Sequence, residues 1–399
     1  MIGLFCFDGP LYRDKNGIYC NITLTDEMFK RFFSVVDELI ITVRTFKSNK
    51  TYQELNMKPL TIQNIKVVEV DNLNSIRGFL IDKKKFETKI KKHLQNIDLI
   101  FARMPSNTSN SVIKIARAMK KPYLVEVGGC AWDSFWNHGL TGKIIAPLMY
   151  YREKINVKNA DFATYVTKEF LQKRYPNCHI NTNCSNVYLQ PVSTKVLEER
   201  LIKIKNTDVN YLVFGQALNC IDVKYKGAHL FVKVMGILKK KGIIVEFQLV
   251  GTGTGRYIKK EAEKWGVANQ IKILGTMKKE EIYIWLKGLD VYVQPSKQEG
   301  LPRSVIEAMS VGCPAIGSNL AGIPELLDKQ CLFNPNKKDE IVDAVKRMMD
   351  KDFLKEMAEK NFKRAKIYNI NDIESRRQKI FLQYAQYVEK LNKFIKSDS

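Results

Sequence analysis

The stretch "DVYVQPSKQEGLPRSVIEAMSVGCPAIG", residues 290–317, contains the pattern that decides the fold. It opens with a short apolar run that is typical of a buried strand. Proline is favoured at the first position of a helix and glycine just beyond its end, so a helix is predicted from about Pro302 to about Ser310. A second apolar run, "PAIGS", follows this helix. Strand, helix and strand in this order predict a βαβ unit and therefore a parallel sheet.

The same alternation extends over the whole chain of 399 residues, which exceeds the size at which one hydrophobic core stops growing. The predicted strands are "MIGLFCF", "ELIITVR", "IKVVEV", "DLIFARM", "PYLVEVG" and "DFATYVT" in the first half, and "NYLVFG", "VEFQLVG", "IKILG", "DVYVQPS" and "PAIGS" in the second. Amphipathic stretches separate most of them. The sequence therefore predicts an α/β protein with two doubly wound, Rossmann-like domains that face a cleft.

Three segments are predicted along the chain. An amino-terminal domain covers residues 1–187, and the pattern breaks near "NVYLQPVSTK", so a second domain is expected over residues 188–370. Residues 371–399 read as one amphipathic helix with no strand after it. Such a helix either caps its own domain or crosses back to the first one.

The formal net charge of +23 raises nucleic acid, a membrane surface or a polyanionic substrate as partners. The basic excess is spread over both halves, and no zinc-finger spacing, basic zipper or aromatic RNA-binding signature accompanies it, so nucleic acid is not expected. The helix "DKKKFETKIKKHLQNI" combines an apolar face with lysines 83–85, 89, 91 and 92. It is predicted to dock on its own sheet, with its lysines also able to meet an anionic bilayer.

The sequence predicts neither a metal site nor a disulfide framework. The eight cysteines include no CxxC pair, and several lie in apolar runs, which is typical of reduced, buried thiols. Asp350-Lys351-Asp352 is the only Asp-X-Asp, and it falls between two helical patterns, where Asp is a common helix cap. No signal peptide or membrane span is read, so the expected location is the cytoplasm, with peripheral attachment to the inner face of the membrane as an option.

Glycines at 251, 253 and 255, in "LVGTGTGRYIKK", leave two interpretations open. Bare amides at a helix start suit a phosphate, which would favour a nicotinamide-dependent oxidoreductase. The spacing is GxGxG, however, and no acidic residue ends the next strand to bind a ribose. The plain alternative is a strand-to-helix turn that needs small residues.

Glu299 and Glu307 lie eight positions apart, one in the loop after a strand and one in the second turn of the predicted helix. The amides of Gly300, Leu301, Arg303 and Ser304 lie near the helix start. Such a layout can hold hydroxyls on the carboxylates and a diphosphate on the amides. The alternative is that Glu307 pairs with Arg303 at i, i+4 and that Glu299 is a solvated loop acid.

The segment "VYVQPSKQEGLPRSVIEAMSVGCPAIGSNLAGIPELL" resembles the carboxyl-terminal signature of retaining glycosyltransferase family four, the glycogen-synthase-like group of GT-B fold. The resemblance covers residues 210–335 and includes the E-x7-E pair, Pro295-Ser296 and the Gly-Ile-Pro-Glu that begins at Gly322. It adds the Lys-Gly pair at Lys226 and Gly227.

The resemblance implies roles for individual residues. Glu307 would bind the nucleotide ribose, Glu299 and the amides after it would hold the donor sugar, and Lys226 would meet the diphosphate. The donor-side residues that it implies are Gly215, Gln216, Met277, Gly300, Leu301, Arg303, Ser304 and Glu307, with Glu299, Lys226 and His138 as the catalytic group.

Two departures from the family pattern are visible. Many members carry arginine directly after the glycine that ends the first strand of the second domain, and here Gln216 follows Gly215. Either Lys226 and the helix amino terminus suffice to bind the diphosphate, or Lys224 or Arg303 assists. The amino-terminal Gly-Gly loop is replaced by a predicted turn at residues 8–10, Asp-Gly-Pro. His138, after the strand "PYLVEV", is the histidine placed best to face a donor sugar.

The predicted function is transfer of a sugar from a nucleotide-diphosphate donor to a hydroxyl, with retention of configuration and without a metal or other cofactor. The acceptor is expected to be a glycan, and a lipid-linked glycan of cell-surface polysaccharide synthesis in particular. The alternatives are a sugar- or lipid-binding protein of the same fold without catalysis, and an oxidoreductase.

Overall fold

Two units of the chain each contain their own parallel sheet in the computed structural model, which describes residues 1–75 and 77–397. One unit consists of Met1–Cys184 together with the chain from Glu374 onward, and the other is Ser185–Ile373. The division thus falls close to the predicted one, and the carboxyl-terminal helix returns to the first unit. Residues 398 and 399 of the predicted last segment lie outside the described residues.

The first unit alternates strands and helices as the sequence pattern predicts. Its strands are β1 (Ile2–Arg13), β2 (Tyr19–Asn21), β3 (Glu38–Lys47), β4 (Lys58–Pro59), β5 (Ile65–Val70), β6 (Leu99–Met104), β7 (Leu124–Val127), β8 (Phe162–Tyr165) and β9 (Ile180–Asn183). Its helices up to Cys184 are α1 (Asp26–Phe29), α2 (Lys83–Gln95), α3 (Asn107–Ala118), α4 (Ala131–Trp136), α5 (Gly139–Lys158) and α6 (Phe170–Arg174).

Parallel pairing orders the first sheet as β5-β3-β1-β6-β7-β8-β9. The small strands β2 and β4 extend it by antiparallel pairing at the far end of β1. The turn predicted at residues 8–10 is wrong, because β1 continues to Arg13 through a register shift between Phe7 and Leu11. A bulge absorbs the extra residues without ending the strand.

The carboxylate of Asp8, inside this bulge, binds the start of α3. It accepts hydrogen bonds from the backbone amide of Thr108 at 2.8 Å and from the Thr108 hydroxyl at 2.6 Å, and it also accepts from the Asn107 amide. The first amides of a helix have no partner within the helix, so an acidic side chain here satisfies them. Asp8 therefore has a structural task within the first unit.

The second unit is built in the same way. Its strands are β10 (Tyr211–Cys220), β11 (Ile244–Thr252), β12 (Ile271–Gly275), β13 (Val291–Gln294), β14 (Ala315–Ser318) and β15 (Leu332–Phe333). Its helices are α7 (Lys195–Asn206), α8 (Ala228–Lys240), α9 (Arg256–Lys264), α10 (Lys279–Gly288), α11 (Arg303–Ser310), α12 (Lys338–Arg347) and α13 (Lys351–Ala365). The last helix, α14 (Ile370–Ser397), begins in this unit and continues into the first.

All strands of the second sheet are parallel, in the order β12-β11-β10-β13-β14-β15. The chain builds outward from β10 on one side through β11 and β12, and then on the other side through β13, β14 and β15. The order therefore reverses between β10 and β13. In open parallel sheets, ligands bind beyond the carboxyl ends of the strands at such a switch point.

The returning helix α14 completes the core of the first unit with aromatic side chains. Phe381 stacks on Phe32 with ring centroids 5.5 Å apart and lies 5.0 Å from Phe101. The fully buried Tyr384 packs against Phe162, and its hydroxyl accepts a hydrogen bond from the Ile100 amide at 2.9 Å. This helix is therefore part of the first unit's interior.

Helix α2, the lysine-rich helix of the sequence analysis, buries its apolar face. Phe86, Ile90, Leu94 and Ile97 are all buried, as a helix docked on its own sheet requires. Among the described residues, no helix combines the length and the apolar character that crossing a bilayer demands.

The Tyr384 hydroxyl generates a stability prediction. Replacement by Phe keeps the ring but leaves the Ile100 amide and the Pro122 carbonyl, 3.0 Å from the hydroxyl, without their partner. We expect Tyr384→Phe to lower the free energy of unfolding by about 1–3 kcal/mol. Tyr387→Phe is the matched control, because its hydroxyl lies on the surface near Asp161. Equal denaturation midpoints for the two variants would contradict this role of Tyr384.

Candidate active site

Two loops leave the carboxyl ends of β10 and β13 and meet at the switch point of the second sheet. The loop after β10 contains Lys226, directly before α8, and the loop after β13 contains Glu299, shortly before α11. Two helix amino termini therefore lie beyond this edge of the sheet. Each contributes backbone amides and the positive end of its dipole, which suits an anionic ligand.

The approach of the two loops depends on Gly227. Its φ is +77°, in the left-handed region, and a Cβ at this position would lie 1.9 Å from the carbonyl oxygen of Pro295. Only glycine combines that backbone conformation with so close a contact. Gly227 is thus a steric requirement of the site.

Lys226 and Glu299, two of the predicted catalytic residues, form a largely buried ion pair. The Lys226 ammonium lies 2.8 and 3.0 Å from the two carboxylate oxygens of Glu299. The side-chain amide of Gln294 donates to the same carboxylate at 2.9 Å and to the Ser296 hydroxyl at 2.8 Å. Glu299 is therefore held in place by its neighbours, and the alternative of a solvated loop acid does not describe it.

Gly215 and Gln216 lie inside β10, which continues to Cys220, so the prediction that Gly215 ends the strand is wrong. Gly215 is small because Leu289 and Trp285 pack where its Cβ would be. Gln216 is fully buried, and its amide donates to the carbonyl oxygen of Lys226 at 2.9 Å. In this structure Gln216 thus supports the Lys226 backbone and exposes no atom to a ligand.

Helix α11 begins at Arg303 with Pro302 as its N-cap, one residue later than predicted. Arg303 is exposed, and Gly300, Leu301 and Ser304 are half-buried. The Gly300 carbonyl accepts from the Gly322 amide at 3.0 Å, which ties this loop to the Gly-Ile-Pro-Glu segment. The helix amino terminus and the predicted donor-binding amides thus form one ordered loop.

Glu307 lies in the second turn of α11 and is mostly buried. Burial raises the pKa of its carboxyl above the ordinary value, although the charges of Arg303 and Lys279 act in the opposite direction. Burial also raises the pKa of the neighbouring Tyr283 phenol, with a further contribution from the Glu307 charge. A carboxyl whose ionised form is poorly compensated gains when a ligand brings hydroxyl donors to it.

The sequence analysis missed His229. His229, in the first turn of α8, has its pKa lowered to about 4, first by burial and then by the charges of Lys233 and Lys297. The Lys224 ammonium lies nearby, 4.7 Å from the centre of the Tyr257 ring, which itself contacts the His229 ring. The excess of positive charge at this helix start favours an anion. Of these residues, only Lys297 comes from the loop after β13, and the meeting of the two loops brings it to His229.

The glycine-rich loop after β11 is occupied by the chain itself. Asp222 accepts hydrogen bonds from the amides of Thr254 and Gly255 at 2.8 and 3.0 Å, the amides that a dinucleotide phosphate would need. A Cβ at Gly251 would lie 2.1 Å from the Leu218 carbonyl oxygen. The plain interpretation, a turn that needs small residues, describes this loop.

The remaining predicted residues are dispersed. Met277 is half-buried after β12, and His138 is exposed in the first unit, directly before α5. Asp350 caps α13 by accepting from the amides of Asp352 and Phe353. Within residues 1–75 and 77–397, no three His, Cys, Asp or Glu side chains are grouped as metal ligands would be.

Residues 200–366 match the family model described as glycosyl transferases group 1, and this segment contains the whole arrangement of Lys226, Glu299 and Glu307. This segment of the chain is similar to the group 1 glycosyltransferases. The recognised signature of the sequence, with its E-x7-E pair, is thereby confirmed at the level of the family.

Known proteins similar to this chain include enzymes of polysaccharide synthesis. Protein CapJ of Staphylococcus aureus is 28% identical over 388 residues, which cover 96% of each chain. The amylovoran biosynthesis glycosyltransferase AmsK of Erwinia amylovora is 33% identical over 110 residues, about a quarter of each chain. The crystal structure of WaaG, a glycosyltransferase involved in lipopolysaccharide biosynthesis, matches 95% of this chain with a TM-score of 0.64 at 11% identity. This likeness confirms the predicted GT-B type of fold.

The raised pKa of Glu307 predicts how stability depends on pH. The folded protein binds the Glu307 proton more tightly than the unfolded chain does. The resulting contribution to the free energy of unfolding is present below the unfolded pKa of about 4.3 and is lost as the pH rises through the folded pKa. Gln cannot ionise. We therefore expect the Tm of Glu307→Gln minus the Tm of the unchanged protein to increase as the pH rises from about 4 to about 8. A Tm difference that is constant over this range would contradict the shift.

Proposed function

We propose that this protein is a glycosyltransferase that moves a sugar from a nucleoside-diphosphate sugar to a hydroxyl of a glycan acceptor, with retention of configuration and without an essential metal ion. The observation that carries the proposal is the Lys226–Glu299 ion pair, which lies where the amino termini of α8 and α11 meet. Glu307 lies in the second turn of α11. The family match states the type of enzyme, and the arrangement of charges suggests how the donor would be held.

The diphosphate is assigned to Lys226 and the two helix starts. An ammonium has three N–H donors, so Lys226 can bind Glu299 and still offer a donor to a phosphate oxygen. The first amides of α8 and α11 add neutral donors, and the charges around His229 add attraction at longer range. This set of cations takes the place of the arginine that Gln216 replaces.

The ribose is assigned to Glu307 and the donor sugar to Glu299. A carboxylate accepts hydrogen bonds from two vicinal hydroxyls, and both ribose and hexose present such pairs. Glu299 is oriented by Lys226 and Gln294 before any ligand arrives. The hydroxyls of the donor sugar would therefore meet a carboxylate whose side-chain conformation is already fixed.

In the proposed reaction the bond between the anomeric carbon and the phosphate oxygen breaks, and its electron pair stays on the diphosphate. The acceptor oxygen forms its bond to the same carbon from the same face, which retains the configuration. The acceptor proton passes to the departing phosphate oxygen. Lys226 and the helix amides stabilise the developing negative charge, which is the task that a divalent ion performs in other transferases.

The proposed acceptor is a lipid-linked glycan of cell-surface polysaccharide synthesis. AmsK and WaaG, by their names, act in the biosynthesis of amylovoran and of lipopolysaccharide, and the resemblance to such enzymes supports the class of acceptor. The net charge of +23 suits a substrate held at an anionic surface.

Thermal shift with UDP, GDP, ADP and their sugars tests the donor assignment. A ligand that binds the native state raises the apparent stability, so one nucleotide series is expected to raise Tm well above the others. Release of the matching nucleoside diphosphate in the presence of glycan acceptor then distinguishes a transferase from a sugar-binding protein. No shift with any nucleotide would overturn the proposal.

Replacement of Glu307 by Ala tests the ribose site. We expect the Kd of the preferred nucleotide to rise by a factor that corresponds to about 1–3 kcal/mol, because buried hydroxyls lose a charged acceptor. Glu263→Ala on the exposed face of α9 removes an equal charge and is the control. Equal affinity in both folded variants, measured by calorimetry, would exclude Glu307 from the nucleotide site.

The position of the diphosphate predicts the titration of His229. A bound dianion beside Lys226 should raise the His229 pKa from about 4 towards the ordinary value of 6.5, because negative charge favours the imidazolium. NMR of the imidazole C–H signals, in EDTA throughout, measures this shift. His179 in the first unit is the reference. Nucleotide binding that leaves the His229 pKa unchanged, or that is abolished by EDTA and restored by magnesium, would contradict the arrangement.

A further inference from the structure

Helix α5 presents a stripe of large apolar side chains to solvent. Leu140, Ile144, Leu148, Tyr151 and Ile155 are between 48% and 80% exposed, and their spacing of three and four residues places them on one helical face. Trp136, directly before this helix, is 41% exposed. Contiguous exposed apolar side chains of this kind mark a surface that is covered by a partner.

The charges around this stripe have one sign at the surface. Within residues 131–158, all of which the structure describes, the two acids are Asp133, which is half-buried, and Glu153, which is only 1% exposed. Lys143 and Lys158 are exposed, and the Lys143 ammonium lies 5.5 Å from the centre of the Trp136 ring. An apolar face bordered by cations is the composition of helices that lie in the interface of an anionic bilayer.

A cavity of about 500 Å³ opens where the stripe ends. Ile155 belongs both to the stripe and to the cavity wall, so the two features are continuous. Lys114 and Arg117 of α3 and Arg152 of α5 also line the cavity. Lys114 is paired with Glu87 of α2 at 2.8 Å, while no carboxylate belongs to the lining itself as the structure describes it.

The floor of the cavity has an unused hydrogen-bond donor. Asn110 is 2% exposed and lines the cavity; its Oδ1 accepts from the Asn156 amide at 2.6 Å, and its Nδ2 has no hydrogen-bond partner. Buried polar groups are nearly always paired, so an orphan donor in a cation-lined cavity indicates an acceptor ligand. A phosphate satisfies both the donor and the charges.

We propose that the α5 stripe lies in the surface of an anionic bilayer and that the cavity between α3 and α5 binds the phosphate of a lipid in that bilayer. The stripe contacts the acyl chains. The head group is bound by Lys114, Arg117, Arg152 and Asn110. Helix α2 adds only charge, since its own apolar face is buried. The inference extends the proposed lipid-linked acceptor, yet vesicle binding needs neither donor nor turnover.

Co-flotation of the full chain with vesicles tests both parts. Vesicles of phosphatidylcholine alone and vesicles that contain phosphatidylglycerol are compared at low salt. We expect binding to the anionic vesicles, about tenfold weaker or more for Ile144→Ser/Leu148→Ser, because two apolar side chains no longer leave water. Lys114→Gln/Arg117→Gln should weaken the same binding by about fivefold per cation.

Matched control variants replace side chains of the same kind, one apolar and two basic, in the second unit. Ile202→Ser changes a side chain that is 62% exposed on α7, and Lys259→Gln/Lys260→Gln removes two exposed charges from α9. Both should bind vesicles like the unchanged protein. Brominated acyl chains should quench tryptophan fluorescence, and Trp136→Phe should reduce that quenching, with Trp132, 5.1 Å away, as the remaining nearby fluorophore. Nucleotide affinity, measured in parallel, should be unchanged in every variant, which separates this test from that of the donor site.

Three results would overturn the inference. Flotation that is equal for the stripe variant and for Ile202→Ser would exclude α5 from the membrane contact. Saturable binding of glycerol phosphate in solution, without flotation on any vesicle, would make the cavity a site for a free phosphate compound. A dimer that dissociates on Ile144→Ser/Leu148→Ser, in a protein that does not float, would assign the stripe to a second copy of the chain.

Discussion

The contact between the Gly227 backbone and the Pro295 carbonyl oxygen determines the geometry of the candidate active site. Any side chain at position 227 would require a Cβ 1.9 Å from that oxygen, in a backbone conformation that only glycine adopts easily. Because glycine is present, the loop after β10 reaches the loop after β13. The ion pair of Lys226 and Glu299, the start of α8 and the start of α11 all depend on this approach.

The electrostatics of the site follow from that packing. A largely buried ion pair gives little net stability, because its desolvation offsets most of the attraction, but it fixes both side chains when further hydrogen bonds complete it. Gln294 donates a further hydrogen bond to the Glu299 carboxylate, and Gln216 donates one to the Lys226 carbonyl oxygen. Near this neutral pair, Lys233 is itself paired with Glu261, while Lys224 and Lys297 add positive charge that an anionic ligand can balance.

The predicted strands and most helices correspond to the observed ones, because apolar periodicity reports directly which faces are buried. The errors have local causes. Residues 8–10 read as a turn because glycine and proline are adjacent, but a bulge inside β1 accommodates them and directs Asp8 to the start of α3. Gly215 reads as a strand end, but it is small because Leu289 and Trp285 occupy the space beside it.

The sequence by itself determined the alternation of strands and helices, the E-x7-E pair and the resemblance to a family, because periodicity and motif spacing are properties of neighbouring positions. Only the tertiary structure decided which residues meet across long separations: Lys226 with Glu299, His229 with Lys297, and Asn110 of α3 with Asn156 of α5. It also decided which apolar stripe is buried, on α2, and which is exposed, on α5. Burial depends on what the rest of the chain places against a helix, and a helical pattern alone does not contain that information.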